Sequence, residues 1–395
     1  MKIRHGYSKE PRPDLKQVVL SLLTSQASSI PLWLEVLDGH SSDKTSFRAT
    51  VLAYCEQLEE GQAPPCFVMD SSAYSRENIE SWQGITWLTR VPESISELKD
   101  LKQRVGLAEM TELLDGKYRI FPVTSHYGDI TQRWLLVYSE QANKREYKQL
   151  LRRVQKEEKA LFKALKQLHR RHFNCQADAR AAAETLAQDY PRHKLGFDLV
   201  ALKKYQQVGR PAQGARPKQI NWQVSASVTR AEDRIAQESL SLGRFVLATN
   251  ELEKAALSDE QILSRYKEQS SSVERSFRFL RDPMFFADSL FVKSPVRIMA
   301  MTMIMGLALL VYSLAERELR RQLEQLDETL PSQTGKPTQA ITLRRVAQIF
   351  EGVDILIIRT KTNILTRQVL NLSPLRLKIL RFFSLEVQKS YLLII

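Results

Sequence analysis

Residues 266–314 read YKEQSSSVERSFRFLRDPMFFADSLFVKSPVRIMAMTMIMGLALLVYSL, polar and basic at first and almost unbrokenly apolar at the end. Glu274 stands in the basic half, with Arg275, Arg278 and Arg281 close behind. At helical spacing Arg278 and Arg281, four and seven residues on, share the face of Glu274. A carboxylate on a cationic helix face suits a site that holds a metal ion and a phosphodiester together. The same spacing also describes ordinary i,i+4 surface pairing, worth about 0.3–0.5 kcal/mol. Spacing alone leaves both readings open.

Working outward, 395 residues suffice for a sizeable core and more than one domain. Lys plus Arg number 58 against 45 Asp plus Glu, a net charge of +13 that suits a polyanionic partner with salt-sensitive binding. Cys55, Cys66 and Cys175 form no CxxC pair, which argues for a reducing compartment and against a structural zinc site. His169 and His172 lack carboxylate or thiol partners at ligand spacing. The first residues, MKIRHGYSKEPRPDLK, are polar rather than those of a signal peptide. Residues 298–314 are about long enough to span a membrane, but Thr302, Gly306, Tyr312 and Ser313 dilute them, and a buried core helix is expected.

Upstream, residues 17–23 (QVVLSLL) and 30–37 (IPLWLEVL) read as two strands of a hairpin, followed by a helix over 43–60. Residues 66–70 (CFVMD) form a short apolar strand that stops on Asp70, with a helix beginning near Ser75. An apolar strand delivering a carboxylate to its end is the usual address of a site in an α/β sheet. An Asp capping a turn through its own side chain is the plainer alternative. Residues 86–90 read as a further strand. Over 91–240 the texture changes: strands near 118–123 and 134–138, a long Lys/Arg-rich helix over 143–173, and a helix over 177–189. Two more strands flank the basic loop GRPAQGARPK. The basic faces of the long helix could follow a phosphate backbone or simply be solvated. Residues 243–250 (GRFVLATN) return to a buried strand, and Ser258 is placed to cap the helix that carries Glu274. A polar linker over 329–340 leads to a tail with helical and strand segments.

VERSFRFLRDP, then FF, a KSPVRIM turn and a long apolar helix, resemble the C-terminal signature of insertion-sequence transposases of the DDE class. That family's pattern places a Tyr, an Arg, the catalytic Glu and a Lys on one helix. Glu274 matches the Glu and Arg281 stands at the Lys position. Tyr266 lies eight residues before Glu274, one more than the pattern, and Ser270 occupies the Arg position. The second catalytic Asp of the family, with small residues and a short helix after it, matches Asp70 and SRENI at 75–79.

The resemblance implies an α/β fold: a ribonuclease-H-like mixed sheet flanked by helices and interrupted by a large insertion. On it, 1–90 form the first part of the core, 91–240 the insertion, 241–328 the second part and 329–395 a linker and C-terminal extension. It further implies a bacterial DNA transposase that cuts element ends and joins 3′-hydroxyls to target DNA by two-metal phosphoryl transfer. Asp70 and Glu274 would be catalytic and hold Mg²⁺ or Mn²⁺. Tyr266, Arg275, Arg278 and Arg281 would meet DNA, both terminal inverted repeats and target. The implied protein is cytoplasmic, nucleoid-associated and homo-oligomeric when active, with no membrane role.

In the family the first catalytic Asp precedes the segment that here begins at His5, so the first strand and its Asp are expected to be missing. Two ions about 3.5–4 Å apart need carboxylates on both. Asp14 and Asp43 are the possible stand-ins, neither at the right strand end. The expectation is therefore a truncated, inactive copy with exposed strand edges and poor solubility. The alternatives are a non-catalytic DNA-binding remnant and a single-span membrane protein.

Overall fold

The computed structural model describes all residues except 7–13, 27–28, 114–115, 207–214, 282–292, 361–363 and 393–395, and only the backbone at 43, 270 and 271. Two compact units result. The first comprises Met1–Met69, Ser81–Ile85 and Leu263–Ile395, the second Asp70–Glu80 and Thr86–Ile262.

In chain order, the first unit opens with β1 (Val19–Thr24), β2 (Pro31–Leu37), α1 (Asp43–Cys55) and β3 (Phe67–Met69). There follow α2 (Arg76–Ser81), β4 (Trp87–Arg90), α3 (Ser96–Arg104), β5 (Thr111–Glu112), β6 (Tyr118–Tyr127) and β7 (Ile130–Ser139). The second unit continues through α4 (Glu140–Arg170), α5 (Gln176–Asp189), β8 (His193–Lys204), β9 (Gln219–Arg230), α6 (Glu232–Ser239) and β10 (Arg244–Thr249). The first turn of α7 (Asp259–Leu280) belongs to the second unit and the rest of it to the first. The first unit is completed by α8 (Pro295–Gln325), β11 (Leu330–Pro331), β12 (Pro337–Thr338), α9 (Leu343–Phe350), β13 (Asp354–Arg359), β14 (Ile364–Leu370), α10 (Pro374–Leu380) and α11 (Leu385–Leu392).

The chain is mixed α/β, with a six-stranded sheet of order β3-β4-β10-β7-β6-β5. Within the second unit, β10 runs antiparallel to β4 on one side and to β7 on the other. Trp134, Leu135, Leu136 and Val137 of β7 are fully buried. A strand apolar on both faces needs cover on both faces, which a central position supplies. Strands β6 and β7 meet at Gly128-Asp129, both at positive φ (60° and 55°), as a two-residue hairpin of the primed type requires. Buried Arg244 on β10 donates to the carbonyls of Lys102 and Val105, satisfying the C-terminal end of α3.

This arrangement differs from the expected strand assignment. Strands β6 and β7, expected in an insertion, sit in the main sheet beside β10. Strands β1 and β2, expected in the core sheet, pair among the described residues only with each other. The reason lies in burial: every residue of β1 is only half-buried, whereas β7 is buried almost along its length.

Helix α8 also departs from expectation. It buries a single stripe, from Ile298 through Met305 and Leu309 to Leu323, instead of its whole circumference. Leu34 of β2 packs so close to Gly306 that an added Cβ would meet it at 2.8 Å. On the other side Val296, Met303, Ile304 and Val311 are 65–69% exposed. By length and composition α8 could cross a membrane. Its last turns join a satellite core in which Leu319 and Leu323 meet Leu330, Ile341, Val346 and Ile379.

Candidate nucleic-acid interface

Helix α7 starts where the sequence places it. Ser258 Oγ accepts from the Gln261 amide at 3.1 Å, and Gln261 Oε1 accepts from the Ser258 amide at 2.8 Å. This reciprocal cap satisfies two donors that a helix N-terminus otherwise leaves bare. One side of the helix is buried through Ile262, Ser272, Ser276 and Leu280. The small serines allow close packing, and Ser276 Oγ donates back to the Ser272 carbonyl at 2.9 Å.

Glu274, Arg278 and Arg281 fall on the opposite side, and all three are exposed. Lys267, seven residues before Glu274, lies exposed on the same face. The i−7 spacing was the available signal for this residue. Tyr266 is half-buried and, eight residues from Glu274, lies about 80° round the helix from it.

Arg275 has a different task. Its guanidinium donates to Glu316 Oε1 and to Ser29 Oγ, each at 2.8 Å. Glu316, 3% exposed, also pairs with Arg320 at 2.6 Å and accepts from the Leu343 amide at 3.1 Å. This buried acid holds α7, α8 and the start of α9 together. Arg275 is thereby tied to this acid, with 35% of its side chain still exposed. Burial lowers the pKa of Arg320 and raises that of the neighbouring Tyr312 hydroxyl. Only the i,i+4 relation of Glu316 to Arg320 was visible in the sequence.

Asp70 follows β3 directly and caps the turn after it, as the plainer reading of the sequence has it. It stands exposed at a strand end, and its Oδ1 accepts from the Ser72 amide at 2.8 Å and from the Ser72 hydroxyl. Its carbonyl accepts from Thr89 Oγ1 on β4 at 2.7 Å. The turn behind it is held firmly. Buried Asn78 donates to the Ala73 carbonyl at 3.0 Å, and Tyr74 donates to Gln132 Oε1 at 2.9 Å while stacking on Tyr127. Burial raises the pKa of the Tyr74 hydroxyl, which keeps it a donor.

Asp70 belongs to the second unit and Glu274 to the first. Of the two stand-ins, Asp14 is exposed ahead of β1, and Asp43, the first residue of α1, has its side chain outside the described atoms. Among the described residues no three His, Cys, Asp or Glu side chains converge. A pair of divalent ions needs several oxygen donors and bridging carboxylates. Asp70 with the Ser72 amide and hydroxyl, or Glu274 among cations, does not fit that need within its own unit.

A scan against protein-family models finds no match for this chain, and a search of curated proteins finds none either.

Proposed function

We propose that this chain is a DNA-binding protein of the DDE-transposase type that does not by itself cut DNA. The carrying observation is the face of α7, where exposed Arg278 and Arg281 stand beside exposed Glu274, with Lys267 on the same side. A phosphodiester laid on that face meets cations that position it by charge. Glu274 and Asp70 are the carboxylates such chemistry would need, and Asp70 is preset by its Ser72 contacts. Among the described residues no three His, Cys, Asp or Glu side chains gather around either, and the reading of binding without cleavage takes its support from that. The DNA class is the two ends of a mobile element and their target, engaged by a homo-oligomer.

The test is duplex binding by fluorescence anisotropy together with nicking of supercoiled DNA in Mg²⁺ or Mn²⁺. Wild type binds, and Arg278→Ala with Arg281→Ala weakens binding about tenfold, as the loss of two phosphate contacts predicts. No nicks accumulate. Metal-dependent nicking abolished by both Asp70→Asn and Glu274→Gln would show a complete enzyme. Absence of any duplex binding would remove the proposal altogether.

A further inference from the structure

We propose that the exposed face of α4 is a second, separate docking surface for duplex DNA, gripping the phosphate backbone without reading bases. The inference rests on the nucleic-acid reading above but uses a different unit and different residues.

At 100° per residue, cations at 145, 148, 152, 156, 159, 163, 166 and 170 fall within an arc of about 80°. All are exposed. The buried residues of α4, Leu150, Val154, Leu161 and Leu168, project to the opposite side. Inward, Leu150 and Val154 pack against Ile235 of α6, and Leu168 packs against Ala179 and Ala183 of α5 and Val224 of β9. The face is thus carried on an anchored rod.

What separates this from an ordinary solvated helix is where the acids went. A salt-laced surface helix alternates signs on one face. On α4 all four acids lie outside the cationic arc. Glu146 accepts from the Gly243 amide at 2.8 Å, Glu157 pairs with Arg192 at 2.5 Å and Glu158 with Arg230 at 3.1 Å. Glu140 pairs with Lys144 at the N-terminal end. Among the described residues none of the eight cations has a carboxylate partner. Like charges at i,i+4 cost about 0.2–0.5 kcal/mol each in an isolated helix. A polyanion laid along the face would remove that repulsion and release its own counterions.

The partner's chemistry follows from length and composition. From 145 to 170 the arc spans about 37 Å at 1.5 Å per residue. One turn of B-form DNA is about 34–36 Å. Five of the eight cations are Lys, suited to point-charge contact with phosphate more than to bidentate guanine recognition. No aromatic side chain lies in the arc, so nothing there would stack on the bases of a single strand.

The experiment titrates the full chain with a random-sequence duplex several turns long across a salt series. The variant Lys148→Ala/Arg152→Ala/Lys159→Ala/Lys166→Ala is compared with Arg278→Ala/Arg281→Ala. Replacing four phosphate contacts lowers the slope of log K against log salt by about 3.6 and reduces affinity at least tenfold. Because those side chains are exposed and make no hydrogen bond or ion pair among the described residues, the variant melts at or above the wild-type temperature. Lys159→Arg keeps the slope, and Lys159→Gln lowers it by about 0.9. If the α4 variant keeps affinity and slope while the α7 variant loses them, this inference fails and the nucleic-acid reading stands. If wild type binds no duplex, both fail. Binding to anionic lipid vesicles through the same four residues, with no duplex binding, would reassign the surface to membranes.

Discussion

Helices α4 and α8 each run 31 residues, yet they distribute charge and apolar surface in opposite ways. Helix α4 turns its cations outward and buries a leucine and valine stripe. Helix α8 leaves Val296, Met303 and Val311 exposed and takes Glu316 inside. Composition does not explain the contrast, because a side chain is buried only where another element meets it. Leu161 is covered almost completely. Glu316 tolerates burial because two guanidiniums and a backbone amide surround its carboxylate. The lesson is that partner availability, more than hydropathy, set the two surfaces.

The strongest challenge to that contrast is Glu316→Ala. It strands Arg275 and Arg320 beside an empty site and should cost the first unit about 3–5 kcal/mol in urea unfolding. A loss below about 1 kcal/mol would mean that the inward charge is incidental. Next comes Leu161→Ala on the buried stripe of α4, expected to lose about 2–5 kcal/mol as the cavity opens. Val311→Ala, on the exposed side of α8, should stay within about 0.5 kcal/mol. Equal losses for the two would break the comparison, since both helices would then be buried at these positions.

A buried charge in the second unit gives a smaller, pH-dependent test. Lys102 is buried against Glu93, its Nζ 2.6 Å from Oε1, and burial lowers its pKa. The unfolded chain titrates this group near about 10.4. Between the depressed folded value and that point, the unfolded state binds more protons. Stability therefore rises with pH through the window and levels off above it. Lys102→Met should flatten that rise in urea midpoints measured from neutral pH to about 10.5. A profile unchanged by the substitution would show that Lys102 titrates as a free lysine.

Much of the local structure was legible. The helix expected at 143–173 runs from Glu140 to Arg170, because its apolar stripe and Ser139 cap are encoded within a few residues. Asp70 was readable as the end of a short apolar strand. Its second role, accepting from Ser72, was readable as the alternative. The Ser258 cap was readable from a Ser followed by Asp259 and Glu260; its reciprocal partner Gln261 came from the structure. The pairing of Arg275 was not, since Glu316 and Ser29 lie 41 and 246 residues away along the chain. Nor was the place of β6 and β7, because alternation and apolar runs mark a strand without naming its neighbours.

The amino-acid order by itself determined the helices and strands, the cationic face around Glu274 and the strand end at Asp70, because periodicity and capping act over a few residues. Tertiary structure alone decided which strands share the main sheet, that Arg275 serves Glu316, and that Glu146, Glu157 and Glu158 of α4 find partners outside the helix. Those outcomes depend on contacts between distant segments, whose free energy exists only once the chain has closed on itself.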